Sequence, residues 1–71
     1  MKYYELMYFR GRKDSGSIYV KTNINLDDFI DEDDFLNKLI EAGLLNETDA
    51  EFIVEVDEID KETYQDMVGH E

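Results

Sequence analysis

The segment that most constrains the fold is residues 2–10, KYYELMYFR, which carries large apolar or aromatic side chains at both alternating sets of positions. Aromatic residues favour extended chain, so this composition predicts a β-strand. A strand that is apolar on both faces is typical of the middle of a sheet, where both faces are covered. We therefore predict that this first strand lies between two others.

A second strand that can pair with the first follows shortly after it in the sequence. Residues 11–16, GRKDSG, hold two glycines and an Asp-Ser-Gly sequence that is typical of turns. Residues 18–23 are predicted as a second strand, with Ile18 and Val20 on its buried side. Together the two strands predict an antiparallel hairpin with a loop of about four to six residues.

A turn and then a helix are predicted after the hairpin. Residues 25–30 are expected to form a turn or short helical segment that packs Phe29 and Ile30 inward. Asp31 is a candidate N-cap, and acidic residues fill the turn that follows it, where the helix dipole favours negative charge. Gly43 is suited to end the helix. The apolar stripe at helical spacing consists of Phe35, Leu36, Leu39 and Ile40.

A third strand and a last helix are predicted near the C-terminus. Residues 51–57, EFIVEVD, alternate as a half-buried strand does. The side chains expected to point inward are those of Phe52, Val54 and Val56. Asp60 is predicted to cap a helix over residues 61–68, and Gly69 to end it.

This β-β-α-β-α order predicts a small α+β fold, with residues 1–71 forming a single domain. A right-handed crossover through the first helix makes the third strand parallel to the second. Placing the third strand beside the first gives the spatial order 2-1-3 and keeps the doubly apolar strand in the middle. We therefore predict a three-stranded mixed sheet with two helices packed on one face and tyrosines showing on the other.

The charge of the chain bears on its partners. The formal net charge is −12, and residues 23–71 hold seventeen acidic and only two basic residues. Such a charge favours solubility and positive partners. It also repels nucleic acid, so direct binding to DNA or RNA is not expected in spite of the basic sequence RGRKD at the hairpin tip.

The sequence lacks the residues that nucleophilic catalysis and metal binding require. The chain has no cysteine, and its one histidine, His70, is next to the last residue, so nucleophilic catalysis is not expected. The acids of DDFIDEDD lack the alternation and the central glycine of a calcium loop, so neither a metal site nor a cofactor is expected. We therefore expect a non-enzymatic protein. No apolar run is long enough to span a membrane and no secretion signal is recognisable, so we also expect a cytoplasmic protein.

The acidic residues themselves form the candidate site. Residues 27–34, DDFIDEDD, are called the acidic segment here, and they hold six acids, more than helix capping requires. We predict that this segment and a second cluster on the third strand contact a basic, nucleic-acid-binding surface of a partner protein. The residues concerned are Asp27, Asp28, Asp31, Glu32, Asp33, Asp34, Glu55, Asp57 and Glu58.

In size and charge the chain is similar to small DNA-mimic inhibitors of phages and mobile elements, of the antirestriction and anti-CRISPR types. No motif carries this likeness, so it assigns no role to any residue. The alternative is an accessory or regulatory adaptor domain that binds a protein through a tyrosine-rich sheet face, by strand addition or by self-association. The residues expected to serve that alternative are Tyr4, Tyr8 and Tyr19, and the oligomeric state is left open.

The density of carboxylates predicts a salt effect on the free protein. Because like charges repel one another in the folded state, added salt should raise the melting temperature by screening that repulsion. Thermal unfolding monitored by circular dichroism over a range of sodium chloride concentrations measures this. A melting temperature that stays flat or falls with salt would mean that the acids are already paired with cations.

Overall fold

The computed structural model describes residues 1–69, which form three strands, three α-helices and one short 3₁₀ helix. In chain order these are β1 (Lys2–Gly11), β2 (Asp14–Thr22), the 3₁₀ helix (Leu26–Asp28), α1 (Glu32–Glu41), α2 (Glu47–Ala50), β3 (Ile53–Ile59) and α3 (Lys61–Val68). The α+β class is confirmed. The short helix α2 was not predicted, and the interpretation of His70 falls outside the described residues.

The sheet has the order β2-β1-β3, so the predicted strand order and the central position of β1 are confirmed. β1 pairs antiparallel with both of its neighbours. The description of the sheet as mixed is therefore wrong. β3 does run parallel to β2, but β1 separates them, and every hydrogen-bonded pair of strands is antiparallel.

The hairpin is tighter than predicted. β1 and β2 pair as far as Gly11 and Asp14, which leaves only Arg12 and Lys13 in the loop, and the register shifts between Phe9 and Gly11. Gly16 lies within β2, directly opposite Tyr8. A Cβ atom on Gly16 would stand 3.0 Å from the Tyr8 hydroxyl oxygen. This glycine makes room for a neighbouring tyrosine and does not form the turn.

The core lies between α1 and one face of the sheet. β1 contributes Tyr4 and Leu6, which are fully buried, and their cross-strand neighbours complete that face. The Tyr4 and Phe35 rings meet edge to face, with their centroids 4.9 Å apart. The buried apolar residues are Tyr4, Leu6, Val20, Phe35, Leu36, Leu39, Leu45 and Val56, which confirms most of the predicted helical stripe.

Both ends of α1 are where the sequence predicts them. Asp31 occupies the N-cap position, although its side chain makes no capping hydrogen bond. Gly43 has a positive φ of 77°, and the Leu44 amide donates to the Leu39 carbonyl oxygen at 2.9 Å. This is the hydrogen bond of a Schellman motif, which satisfies carbonyl groups that the helix end would leave unpaired.

The helix α3 contacts the opposite face of the sheet from α1. Tyr64 of α3 packs against Tyr3, with ring centroids 4.9 Å apart. Neighbouring residues on a strand point to opposite faces, so Tyr3 and the buried Tyr4 face different ways. Ile59 pairs with Tyr3 at the end of β3 and therefore starts α3 on the Tyr3 side. The prediction of two helices on one face is thus correct only for α1.

A bulge in β3 changes which of its side chains are buried. The pairing of β1 with β3 shifts between Met7 and Tyr8, where Met7 faces Glu55 and Tyr8 faces Ile53. Val54 is the extra residue and is 67% exposed, whereas Ile53 packs against the core. Val56 is buried as predicted, but the inward direction predicted for Val54 is wrong because the bulge interrupts the alternation.

Among residues 1–69 there is no helix with both the length and the apolar character needed to cross a membrane.

The bulge predicts opposite outcomes for two valines two positions apart. Val56→Ala should lower the free energy of unfolding by about 2 kcal/mol, because it removes buried methyl groups and leaves a cavity. Val54→Ala is the matched control and should change it by less than about 0.5 kcal/mol, because that side chain is exposed. Urea unfolding of both variants measures this. Equal losses of stability in the two variants would mean that both valines are buried, which would contradict the bulge.

The cap of α3 predicts a pH effect. Hydrogen bonding by the Thr63 side chain and backbone amide lowers the pKa of Asp60, with the amide 2.7 Å from Asp60 Oδ1. The carboxylate therefore contributes its full stability above the ordinary pKa of 3.8, and this contribution is lost as the pH falls through the lower folded-state value.

Asp60→Asn is the matched variant, since asparagine keeps a capping oxygen but does not titrate. The stability of the wild type relative to this variant should be constant at neutral pH and should decrease below pH 3.8. Chemical unfolding at a series of pH values measures the difference. A difference that does not change with pH would show that Asp60 has no titration-dependent role.

Candidate functional site

The acidic segment begins on a firmly attached 3₁₀ helix. The Tyr4 hydroxyl accepts a hydrogen bond from the Leu26 amide at 3.0 Å and donates one to the Ile24 carbonyl oxygen at 3.1 Å. Asn25 caps the 3₁₀ helix by accepting from the Asp27 amide at 3.1 Å. These bonds fix the backbone, while the side chains of Asp27 and Asp28 remain exposed.

The middle of the acidic segment packs on the core through a contact between two aromatic rings. Phe29 is half-buried, and its ring lies 5.8 Å from that of Phe35. The backbone at Phe29 and at Asp31 is extended. Ile30 follows Phe29 at a bend in the chain, just before α1 begins. Ile30 is 99% exposed, and the prediction that it packs inward is wrong.

The rest of the acidic segment forms the start of α1. Asp31 is at the N-cap position, and Glu32, Asp33 and Asp34 occupy the first turn, where the partial positive charge of the helix end stabilises carboxylates. All are exposed. In the part of the chain that the structure describes, none of the six acids of the segment takes part in an ion pair.

The structure divides the second predicted cluster between two faces. Glu58 pairs with Tyr4 across β1 and β3, so it lies on the α1 side, whereas Glu55 and Asp57 lie on the other face. There Asp57 is directly opposite Glu5. Glu58 can therefore act together with the acidic segment, but Glu55 and Asp57 cannot share one flat contact with it.

Lys2 forms an ion pair with Glu58. Its ammonium group lies 3.1 Å from Glu58 Oε2, and both groups are partly exposed. The hydrogen bond to Glu58 and the charge of that carboxylate raise the pKa of Lys2, and Asp27 adds a smaller effect in the same direction. Among residues 1–69, Asp27 itself forms no ion pair with Lys2.

The three tyrosines of the alternative site do not share a surface. Tyr4 is fully buried in the core and cannot contact a partner. Tyr8 is on the same side of β1, with the Arg10 guanidinium carbon 4.6 Å from its ring centroid. Tyr19 is on the opposite face, where its hydroxyl donates to Glu5 at 3.1 Å. Tyr4, Tyr8 and Tyr19 therefore do not form one binding surface, because alternation and burial separate them.

The basic hairpin tip is partly neutralised within the chain. Arg10 Nε lies 3.1 Å from Asp14 Oδ2, and Arg10 Nη1 lies 3.3 Å from Asp49 Oδ1. Arg10 therefore connects the hairpin tip to α2. Arg12 and Lys13 are exposed in the loop. The tip therefore contacts an acidic group of the same chain.

Two shallow cavities open beside the helices. One, of about 280 Å³, lies between β2 and the turn from α1 to α2. The other, of about 330 Å³, lies between α1 and α2 and includes Asp33 of the acidic segment. Over residues 1–69, no three His, Cys, Asp or Glu side chains converge in a way that could hold a metal ion.

No protein family model, no curated protein and no solved structure matches this chain.

Proposed function

We propose that this protein is a non-enzymatic interaction protein whose acidic segment occupies a basic, nucleic-acid-binding surface of a partner protein. It would act as an inhibitor that mimics DNA, of the antirestriction or anti-CRISPR type. The observation that carries the proposal is the exposure of Ile30, which is 99% exposed in the middle of a segment whose six carboxylates are exposed too. An apolar centre inside a charged rim is the usual anatomy of a protein interface.

The carboxylates supply the mimicry. A surface that binds DNA carries Lys and Arg side chains spaced to meet phosphates, which follow one another about every 1.7 Å along the duplex axis. Carboxylates form the same charge-assisted hydrogen bonds with those side chains. The six acids of the segment, together with Glu58 on the same side of the sheet, can therefore compete for such a surface.

Ile30 supplies what charge alone does not. A purely electrostatic contact is sensitive to salt and tolerates many basic partners. An isoleucine that enters an apolar pocket between the basic residues adds affinity that salt does not screen, and it restricts the choice of partner. Glu55 and Asp57 lie on the other face and are assigned a secondary, long-range electrostatic role.

The test is a pull-down from the native host lysate with tagged protein, washed at about 0.1 M and about 1 M salt and identified by mass spectrometry. At the higher salt the Debye length is only ~3 Å, which screens surface charge. We expect a basic, nucleic-acid-handling protein that is released by salt and displaced by added double-stranded DNA. A partner that resists both treatments would contradict the mimicry.

Two sets of variants separate the acidic segment from the overall charge. Neutralising Asp27, Asp28, Asp33 and Asp34 to their amides should abolish capture. The control is the same change in net charge at four exposed acids away from the segment, and it should leave capture intact; those residues are Asp14, Glu41, Glu62 and Asp66. Equal losses in the two sets would mean that only the total charge matters.

Ile30→Ala tests the apolar centre. Because the side chain is exposed in the free protein, the variant should fold with unchanged stability. Its binding to the purified partner should weaken by about 2 kcal/mol, roughly a factor of 30 in Kd. Isothermal titration calorimetry measures this. An unchanged Kd would show that Ile30 does not contribute to binding and that only the acids contact the partner.

A further inference from the structure

The cavity between α1 and α2, called the α1–α2 cleft here, is bordered by carboxylates from both helices. Its volume is about 330 Å³. Asp33 of α1 lines it together with Glu47 of α2 and Glu51, the C-cap residue of α2. Within residues 1–69, none of these three acids takes part in an ion pair. Three carboxylates without a cation therefore border one concave surface.

Helical spacing explains why these side chains share the cleft. Residues three or four positions apart lie on the same side of a helix, so each helix can turn one such set toward its neighbour. The two sets include Asp33, Leu36 and Ile40 on α1, and Glu47, Ala50 and Glu51 on α2 and at its C-cap. Each helix therefore brings both acidic and apolar side chains to the cleft.

The apolar side chains form the floor of the α1–α2 cleft. Leu36 is buried, and Ile40 and Ala50 are half-buried and pack against the core. The three carboxylate side chains belong to exposed residues. A molecule that enters the cleft therefore meets apolar surface inside and negative charge at the mouth.

The chain does not supply a cation to this cleft. Lys38 Nζ of α1 lies 3.6 Å from Glu41 Oε2, and Arg10 Nη1 lies 3.3 Å from Asp49 Oδ1 of α2. These acids lie outside the cleft. Among the residues that the structure describes, no lysine or arginine lines it. A cation for the three carboxylates has to come from another molecule.

The form of the cleft distinguishes between kinds of cation. A metal ion needs several oxygen ligands at about 2.0–2.6 Å, and over residues 1–69 no three acidic side chains converge in that way. A guanidinium group is wider, and its five N–H donors can reach carboxylates that lie apart. Its methylene stem can pack on apolar side chains while the charged end stays among the acids. The mixed lining of the cleft matches an arginine side chain.

We propose that the α1–α2 cleft binds one arginine side chain of the partner protein, with the stem against the apolar floor and the guanidinium among the three carboxylates. The volume suits one side chain, because pockets for whole small molecules measure roughly 300–1,000 Å³. Asp33 also belongs to the acidic segment, so the cleft extends that surface toward α2. Only the source of the arginine, a basic partner, rests on the function proposed above.

The probe is n-propylguanidinium, which is the arginine side chain without its backbone. It is titrated at low salt into isotopically labelled protein and followed by NMR. We expect saturable chemical-shift changes at residues 33–40 and 47–51. n-Propylurea has the same shape without the charge and should bind at least tenfold more weakly. The guanidinium ion alone lacks the stem and should bind at least threefold more weakly.

Two double variants locate the binding. Glu47→Gln with Glu51→Gln should weaken binding of the probe at least fivefold. Glu62→Gln with Asp66→Asn is the matched control, since it makes the same change in net charge on α3, and it should leave binding unchanged. NMR spectra report whether each variant keeps the fold. Because no partner protein is present, this result is independent of the pull-down. The purified partner should discriminate between the two variants in the same direction.

Four results would overturn the proposal. Equal binding of n-propylurea would show that the cleft does not recognise a cation. Shift changes spread equally over the acids of α3 would show association by overall charge. Equal affinity of the two double variants for the partner would show that its arginine does not enter the cleft. Self-association of the free protein that Arg12→Gln abolishes would show that a second copy fills the cleft through its hairpin tip.

Discussion

The Tyr4 hydroxyl holds the central strand to the chain that leads into α1, and most of the structure depends on this contact. The oxygen accepts from Leu26 and donates to Ile24, so both of its hydrogen-bonding roles are satisfied although the side chain is fully buried. The ring packs against Phe35, which in turn supports Phe29. One side chain thus joins the sheet, the helix and the acidic segment. Removing it would leave two partly buried backbone groups without these partners and a gap beside Phe35, both of which are costly in a small core.

The backbone of the acidic segment is consequently held in place by uncharged side chains. Its backbone is fixed by Asn25, Tyr4 and the contact between Phe29 and Phe35, and its charges are left in solvent. A rigid surface loses less conformational entropy on binding than a flexible tail of equal charge would lose. This is the physical difference between a shaped acidic surface and a merely acidic composition. It is also why Ile30 has a defined position among the carboxylates.

Much of the fold follows from local patterns in the sequence, and the differences have specific causes. The caps at Asp60 and Gly43 depend on a few neighbouring residues, and they were predictable for that reason. The bulge at Val54 was not, because it arises from pairing with a strand more than forty residues away along the chain. The mixed sheet was an error of inference, since the predicted order 2-1-3 already makes each neighbouring pair antiparallel.

The candidate site was predictable to a similar extent. Composition alone indicates that the six acids of residues 27–34 are exposed, because clustered carboxylates are too costly to bury. The exposure of Ile30 has no such signal, because the sequence does not show which of the two adjacent apolar residues the fold buries. The separation of Glu58 from Glu55 and Asp57 follows from alternation once the strand is known to continue to Ile59.

The order of the strands also affects how the chain folds as it is made. β1 can pair with β2 as soon as the two-residue loop closes, and hairpins form in about 1–10 μs. Its other edge has to wait for β3, which lies roughly 50 residues further along and takes several seconds to synthesise at ~5–20 residues per second. During that interval the most apolar strand of the protein is paired on one side only. The acidic segment is made soon after the hairpin, well before β3 can cover that edge.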